Sequence, residues 1–248
     1  KAPDGSLKKL GLAGGAPITI APATQNWIGA SWGTNGFIAL GSTVAGLYVI
    51  PAAGGEPRQL TSLDQAKLEN SHRLPELLPD GKTVVFAVNA AQGSRVAVTS
   101  IDDGTVTVTD LPGINPHYLP TGHLLYATME QSILAVPFDL RRTATTGPSV
   151  PLLQDVAVAI EQSAELAVSR TGSLIHLQGS GANRLVMVDR TGRVRSLLEE
   201  GRGYGNPRFS PDGTRLIFDL REAPAAGIWI LALTDRTLSR LAFEAAGS

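Results

Sequence analysis

Asn206-Pro207-Arg208-Phe209-Ser210-Pro211-Asp212-Gly213-Thr214-Arg215-Leu216-Ile217-Phe218 joins an extended segment to a Pro-Asp-Gly turn and then to an apolar strand. The Asp-Gly pair supplies the positive φ that a tight hairpin requires. The same phrase returns as Leu74-Pro75-Glu76-Leu77-Leu78-Pro79-Asp80-Gly81-Lys82-Thr83-Val84-Val85-Phe86. Weaker copies are Asn115-Pro116-His117-Tyr118-Leu119-Pro120-Thr121-Gly122 and Gly29-Ala30-Ser31-Trp32-Gly33-Thr34-Asn35-Gly36, and the faintest is Glu165-Leu166-Ala167-Val168-Ser169-Arg170-Thr171-Gly172. Their last glycines stand at 36, 81, 122, 172 and 213, separated by 45, 41, 50 and 41 residues. That period suits a four-stranded propeller blade.

Working outward from each glycine, a short apolar strand follows the turn, as at 37–40, 84–88, 124–126 and 173–177. A third strand (47–50, 95–98, 133–136, 185–188, 228–231) then runs into a polar or glycine-rich turn, and a fourth closes the unit. No segment sustains a 3.6-residue apolar period, although 63–70 has room for one helical turn. The pattern predicts an all-β propeller of four-stranded blades at about 27–63, 72–111, 113–155, 162–200 and 204–243. Residues 1–24 form a partial blade or overhang, with the look of third and fourth strands at 6–10 and 18–21. Five blades are favoured, and six with one incomplete is the alternative. The chain starts Lys1-Ala2-Pro3 and reads as a processed or excised segment.

Composition agrees. Gly 27 and Pro 16 in 248 residues imply many turns, and 43% hydrophobic residues suffice for a large core. With 21 basic and 22 acidic residues scattered along the chain, bulk charge attracts neither nucleic acid nor an anionic membrane. The longest apolar runs fall short of the ~18 residues a spanning helix needs. The absence of cysteine excludes disulfides, thiol catalysis and thiolate metal sites.

The Pro-x-x-Ser-Pro-Asp-Gly phrase at 207–213 and its cousin at 75–81 resemble the repeat of TolB-like propellers. Tyr118-Leu119-Pro120-Thr121-Gly122-His123-Leu124-Leu125-Tyr126 and Val136-Pro137-Phe138-Asp139-Leu140 look like a narrower group, the extracytoplasmic propellers of bacterial membrane-bound Ser/Thr kinases. The resemblance implies a periplasmic or extracellular ligand- or protein-binding module, a sensor or scaffold without catalytic activity. No kinase loop, His-Arg-Asp or Asp-Phe-Gly sequence occurs, so this chain does not transfer phosphoryl groups.

In a propeller the first strand of each blade is innermost, and period-two alternation separates its packed residues from those open to the channel. Positions four and six before each glycine are apolar: Trp32, Leu77, Tyr118, Val168 and Phe209, then Ala30, Pro75, Pro116, Leu166 and Pro207. The odd positions carry the unusual polar residues. Five before are Ser31, Glu76, His117, Ala167 and Arg208; seven before are Gly29, Leu74, Asn115, Glu165 and Asn206; nine before include His72 and Tyr204. Alternation puts these on the channel side. Glu76, His117, Arg208, His72 and Tyr204 are therefore candidate ligand-binding residues. Glu165, Asn115 and Asn206 are oxygen donors suited to a hard cation such as Ca²⁺. A structural reading stands beside this one, with Glu76 and Arg208 a charge pair knitting the ring and His117 their hydrogen-bonded partner.

Asp80 and Asp212 belong to turn chemistry, and His123 and His176 to half-buried second strands. Gly29-Ala30-Ser31-Trp32-Gly33 matches a nucleophile elbow but runs into a hairpin with no helix, so the match reads as coincidental. Ser31, His117 and Glu76 are the weak catalytic candidates, a hydroxyl, base and carboxylate from three blades. The alternative function is a Ca²⁺-dependent hydrolase of lactones or esters with its site in the channel, as in paraoxonase-like and gluconolactonase-like propellers, whose repeats these do not resemble.

Overall fold

The computed structural model describes residues 5–11, 15–22, 26–159, 162–169, 172–178, 184–198, 200–221 and 225–243. Five antiparallel sheets carry the repeat. Blade 1 is Trp27–Trp32, Phe37–Ser42, Tyr48–Pro51 and Arg58–Gln59, and blade 2 is Glu69–Leu77, Thr83–Ala90, Gly93–Ser100 and Thr107–Val108. Blade 3 is Ile114–Leu119, His123–Ala127, Ile133–Asp139 and Ala144–Thr145, with Val150–Leu153 also pairing with its third strand. Blade 4 is Leu166–Val168, Leu174–Gln178, Arg184–Val188 and Val194–Ser196, and blade 5 is Tyr204–Phe209, Arg215–Leu220, Gly227–Ala232 and Leu238–Phe243. This is the sheet content of a five-bladed β-propeller.

Helix among the described residues is confined to one 3₁₀ turn, Gln65–Lys67, capped by the Asp64 carboxylate on the N–H of Ala66. None of it is long and apolar enough to cross a membrane. Leu7–Lys9 and Ile18–Ala21 pair as a separate two-stranded sheet. The chain divides into two compact units, blades 1 to 3 with the two-stranded sheet in one and blades 4 and 5 in the other.

All five anchor glycines have positive φ, between 70° at Gly213 and 86° at Gly172. In each, the glycine N–H donates to the carbonyl three residues back: Gly33, Leu78, Leu119, Ser169 and Ser210. The acidic turn residues act locally. Asp80 accepts from the N–H groups of Lys82 and Thr83, and Asp212 from the Ser210 hydroxyl and from both the N–H and hydroxyl of Thr214. The Ser210 hydroxyl, helped by the Thr214 N–H, holds the Asp212 carboxyl down to about 2. These bonds account for both aspartates as turn residues.

The innermost strands depart from simple alternation. In blade 2, Arg73 lies opposite Ala87 and Glu76 opposite Val85, so three steps on one strand match two on the other. The same extra residue separates Trp27 from Ala30, Ile114 from His117 and Gly205 from Arg208. At its centre sits a left-handed residue: Gly29 (φ 74°), Leu74 (51°), Asn115 (51°) or Asn206 (47°). In three blades a proline follows it. Proline has no N–H for a ladder, and a β-bulge is one of the few places in a sheet that accepts it. Gly29 has a second constraint, since a Cβ there would lie 2.7 Å from the Leu74 Cα.

The bulge reverses the phase of alternation, so the residues nine before the glycine share a side with the packed positions. Trp27, His72 and Tyr204 are accordingly 7%, 0% and 4% exposed. Trp32 departs from expectation in the other direction. Its equivalents join apolar clusters that include residues of the preceding blade: Leu77 with Ala39 and Leu47, Tyr118 with Val85, and Phe209 with Ile175 and Leu177. Blade 1 is preceded only by the two strands of the partial sheet among the described residues, and Trp32 is 59% exposed.

Because a Cβ at Gly213 meets no atom within 4 Å, a substitution there reports backbone strain alone. Gly213→Val is expected to cost about 1 kcal/mol or more in chemical denaturation, with Gly213→Asn much closer to the parent.

Candidate functional site

The inner strand of a blade is a sheet edge, and an edge leaves N–H and C=O groups unpaired. Side chains five before the glycine supply partners to the next blade. Ser31 Oγ accepts from the N–H of Leu77 at 2.9 Å, and Glu76 Oε1 accepts from the N–H of Tyr118 at 2.9 Å. Glu76 does more. Its Oε2 lies 2.6 Å from His117 Nδ1, while His117 Nε2 lies 3.2 Å from Asn115 Nδ2. An amide donating to Nε2 leaves Nδ1–H to donate to the carboxylate, which gives one consistent tautomer. The side chains of His117 and Glu76 are 19% and 26% exposed, so water and solutes reach them, whereas Asn115 is buried. Three of the expected site residues thus form one cluster across blades 2 and 3. The anticipated pairing of Glu76 with Arg208 or His117 is, within this unit, a pairing with His117.

Ser31 does not complete a triad in this geometry. Both ring nitrogens of His117 face other partners, and the Ser31 hydroxyl oxygen is engaged by Leu77. The Gly29–Gly33 segment is strand followed by turn, with no helix to present a nucleophile.

Blades 4 and 5 hold a second cluster. Glu165, 5% exposed, accepts from the N–H of Asn206 at 2.6 Å and from the Arg221 guanidinium at 3.2 Å, and Arg221 also reaches Asp219 at 2.8 Å. Arg208 donates to the carbonyls of Leu166 and Pro207. The three residues expected to hold Ca²⁺ fit it poorly. The two oxygens of Glu165 already have donors, one a cation, and the Asn115 amide faces His117. Among the described residues no three His, Asp or Glu side chains converge as metal ligands.

His72 and Tyr204 lie inside the blades. Tyr204 stacks edge-on against Phe218 at 5.4 Å. His72 joins a buried chain that sequence reasoning missed: the Leu47 N–H donates to Thr61 Oγ1 (2.7 Å), which lies 2.7 Å from His72 Nδ1, and His72 Nε2 lies 3.1 Å from Glu69 Oε2. Since the Glu69 carboxylate only accepts, the neutral His72 ring donates from Nε2, which leaves Nδ1 to accept the Thr61 hydroxyl proton. Burial pushes the His72 imidazole below its ordinary value, against the opposing pull of Glu69. The signal lay at two positions that the inner-strand count did not reach, Thr61 at the end of the first expected blade and Glu69 in the segment before the second. His176 is also buried with a lowered value, its Nδ1 facing the Leu177 carbonyl at 3.3 Å, while His123 contacts Thr121.

Five four-stranded blades define a β-propeller, with one polar cluster on the inner strands of blades 2 and 3 and a separate one in blades 4 and 5. Solved structures of low sequence identity share the fold. The chain is similar to TolB from Acinetobacter baumannii (TM-score 0.72, 18% identity), covering 94% of this chain and 58% of that one. It is similar to the calcium-binding protein regucalcin from Agrobacterium tumefaciens (0.67, 16%; 89% of this chain and 77% of that one). It is also similar to a puromycin-hydrolyzing peptidase from Mycobacterium tuberculosis (0.66, 17%; 98% and 42%). No family model matches the chain, and no curated protein does. The fold is therefore one that binding proteins and hydrolases both use.

Two measurements test the clusters. Glu76→Ala strands the His117 Nδ1–H and the Tyr118 N–H, and should cost about 1–2 kcal/mol. The Glu76→Ala/His117→Ala double variant should cost less than the two single changes summed, by about 0.5 kcal/mol or more. The second concerns pH. His72 is held neutral in the fold, so its contribution is full above the unfolded value of about 6.5 and is lost as pH falls through the lower folded value. A melting-temperature series from pH 7 to pH 5 should fall less steeply for His72→Gln than for the parent.

Proposed function

We propose that this chain is a non-enzymatic binding module, an extracytoplasmic sensor or scaffold that meets a small polar molecule or a protein segment on its inner strands. The observation that carries this reading is the Glu76–His117–Asn115 cluster, a carboxylate and an imidazole fixed in one tautomer yet open to solvent. Such a pair presents an acceptor edge on Glu76 and a polarised ring on His117 to a hydrogen-bonding ligand. The repeat's resemblance to TolB-like propellers and the structural likeness to TolB support the same reading.

The hydrolase reading draws on the likeness to regucalcin, a calcium-binding protein. Against it stands Arg221, whose guanidinium occupies the place beside Glu165 that a divalent cation would need. One experiment separates the two. Calcium is titrated calorimetrically, and turnover of gluconolactone and p-nitrophenyl acetate is measured with and without chelator. The binding-module reading expects no chelator-sensitive turnover. Turnover that is lost with chelator and in Glu165→Ala would replace it with the hydrolase.

A further inference from the structure

A cleft lies away from the Glu76–His117 cluster, at the far end of blade 2. Glu69 and Glu76 stand seven residues apart on one inner strand, roughly 20 Å at the usual strand rise. The cleft holds about 400 Å³, within the range of small-molecule sites. Val88, Ala90 and Val108 form its apolar floor, with Glu69 at one end and Lys67 and Arg95 along the rim. The ladder explains the grouping. Glu69 lies opposite Ala90, Ala90 opposite Gly93, and Val88 opposite Arg95, so all five share one face of the sheet.

Glu69 is the unusual member. It is 6% exposed, and carboxylates are seldom buried without compensation. Its Oε2 takes two donors, the His72 ring at 3.1 Å and the Asp64 N–H at 2.8 Å. Oε1 has no partner among the described residues, and Glu69 lines the cleft. The nearest cation, Lys67, already pairs with Asp64 at 3.0 Å. Arg95 is exposed, and Nη1 only grazes the Asp110 carbonyl at 3.4 Å. The cleft therefore has a negative end at Glu69 and a positive end at Arg95, separated by an apolar floor. Two strand spacings across and two residues along put their Cα atoms on the order of 12 Å apart. Side chains standing roughly perpendicular to the sheet keep the charged ends about that far apart, and a hydrogen bond of about 2.8 Å at each end leaves about 6 Å, comparable to the ammonium-to-carboxylate span of an extended dipeptide.

We propose that this cleft binds an apolar dipeptide by its charged ends, the ammonium on Glu69 Oε1 and the carboxylate on Arg95, with its side chains on Val88, Ala90 and Val108. The Thr61–His72–Glu69 chain then orients the carboxylate, turning Oε2 inward and leaving Oε1 for the ligand. The site is independent of the Glu76–His117 cluster and of the function proposed for it.

Calorimetric titration of leucyl-leucine into the 248-residue chain tests this, beside its N-acetyl and C-amide forms. Capping either end should weaken binding tenfold or more. Arg95→Ala, at an exposed position, should weaken leucyl-leucine about tenfold and leave the affinity for the amide unchanged, with the circular dichroism spectrum intact. Glu69→Gln should remove the penalty of N-acetylation. If that buried change unfolds the protein, the Arg95→Ala comparison with the amide decides alone. Failure of leucyl-leucine to bind, indifference to capping, or an equal loss of free and amidated peptide in Arg95→Ala would overturn the proposal.

Discussion

An inner strand that carries proline at a fixed place cannot run as an unbroken ladder, and much of this structure follows from that. Pro75, Pro116 and Pro207 offer no N–H, and each stands directly after a left-handed residue in a three-for-two bulge. Left-handed backbone costs an L-residue about 1 kcal/mol or more unless it is glycine or, with a smaller penalty, asparagine. Asn115, Asn206 and Gly29 meet that demand by residue type. Leu74 meets it by burial, at 6% exposed and tight against the Gly29 backbone. The asparagines that looked like metal ligands thus have a backbone reason to be where they are.

The bulge also decides which side chains reach the inner surface and what they do there. Residues just past it point to the neighbouring blade's edge, and Ser31 and Glu76 both spend an oxygen on an N–H there. Glu165 does the same for Asn206 from a blade whose described inner strand, Leu166–Val168, pairs without a shift. Polar residues at these positions thus satisfy edge groups first, and only what remains is offered to solutes. For Ser31 nothing chemical remains. For Glu76 the second oxygen still binds an imidazole in contact with water, so binding function is argued from Glu76 and His117 and not from the serine.

The fold was legible because its signal is local. Asp-Gly and Asn-Gly turns, apolar strands and their 41-to-50-residue spacing each follow from backbone sterics, and all five glycine turns close with the same hydrogen bond. The cluster of Glu76, His117 and Asn115 was legible in part, because its members sit at small offsets from those turns. His72 and Tyr204 were misplaced because period-two counting assumes an unbroken ladder, and one inserted residue exchanges the two faces. The clue was present in the sequence: a proline in an apolar strand is itself a reason to expect a bulge.

What alternation could not reach at all is the chain from Thr61 to Glu69. Its members are separated by 11 and 3 residues, come from a connecting segment and the start of a strand, and obey no repeat. A buried imidazole needs both nitrogens satisfied, and here the acceptor-only Glu69 carboxylate settles the tautomer, with the Thr61 hydroxyl donating to the other nitrogen. That leaves a buried carboxylate with one oxygen committed and one not, against an apolar cleft. The turns repeat because every blade has to close a hairpin. A buried carboxylate held by one histidine and one backbone N–H answers no demand that the other blades share, which makes the far end of blade 2 a place where this chain departs from its own repeat.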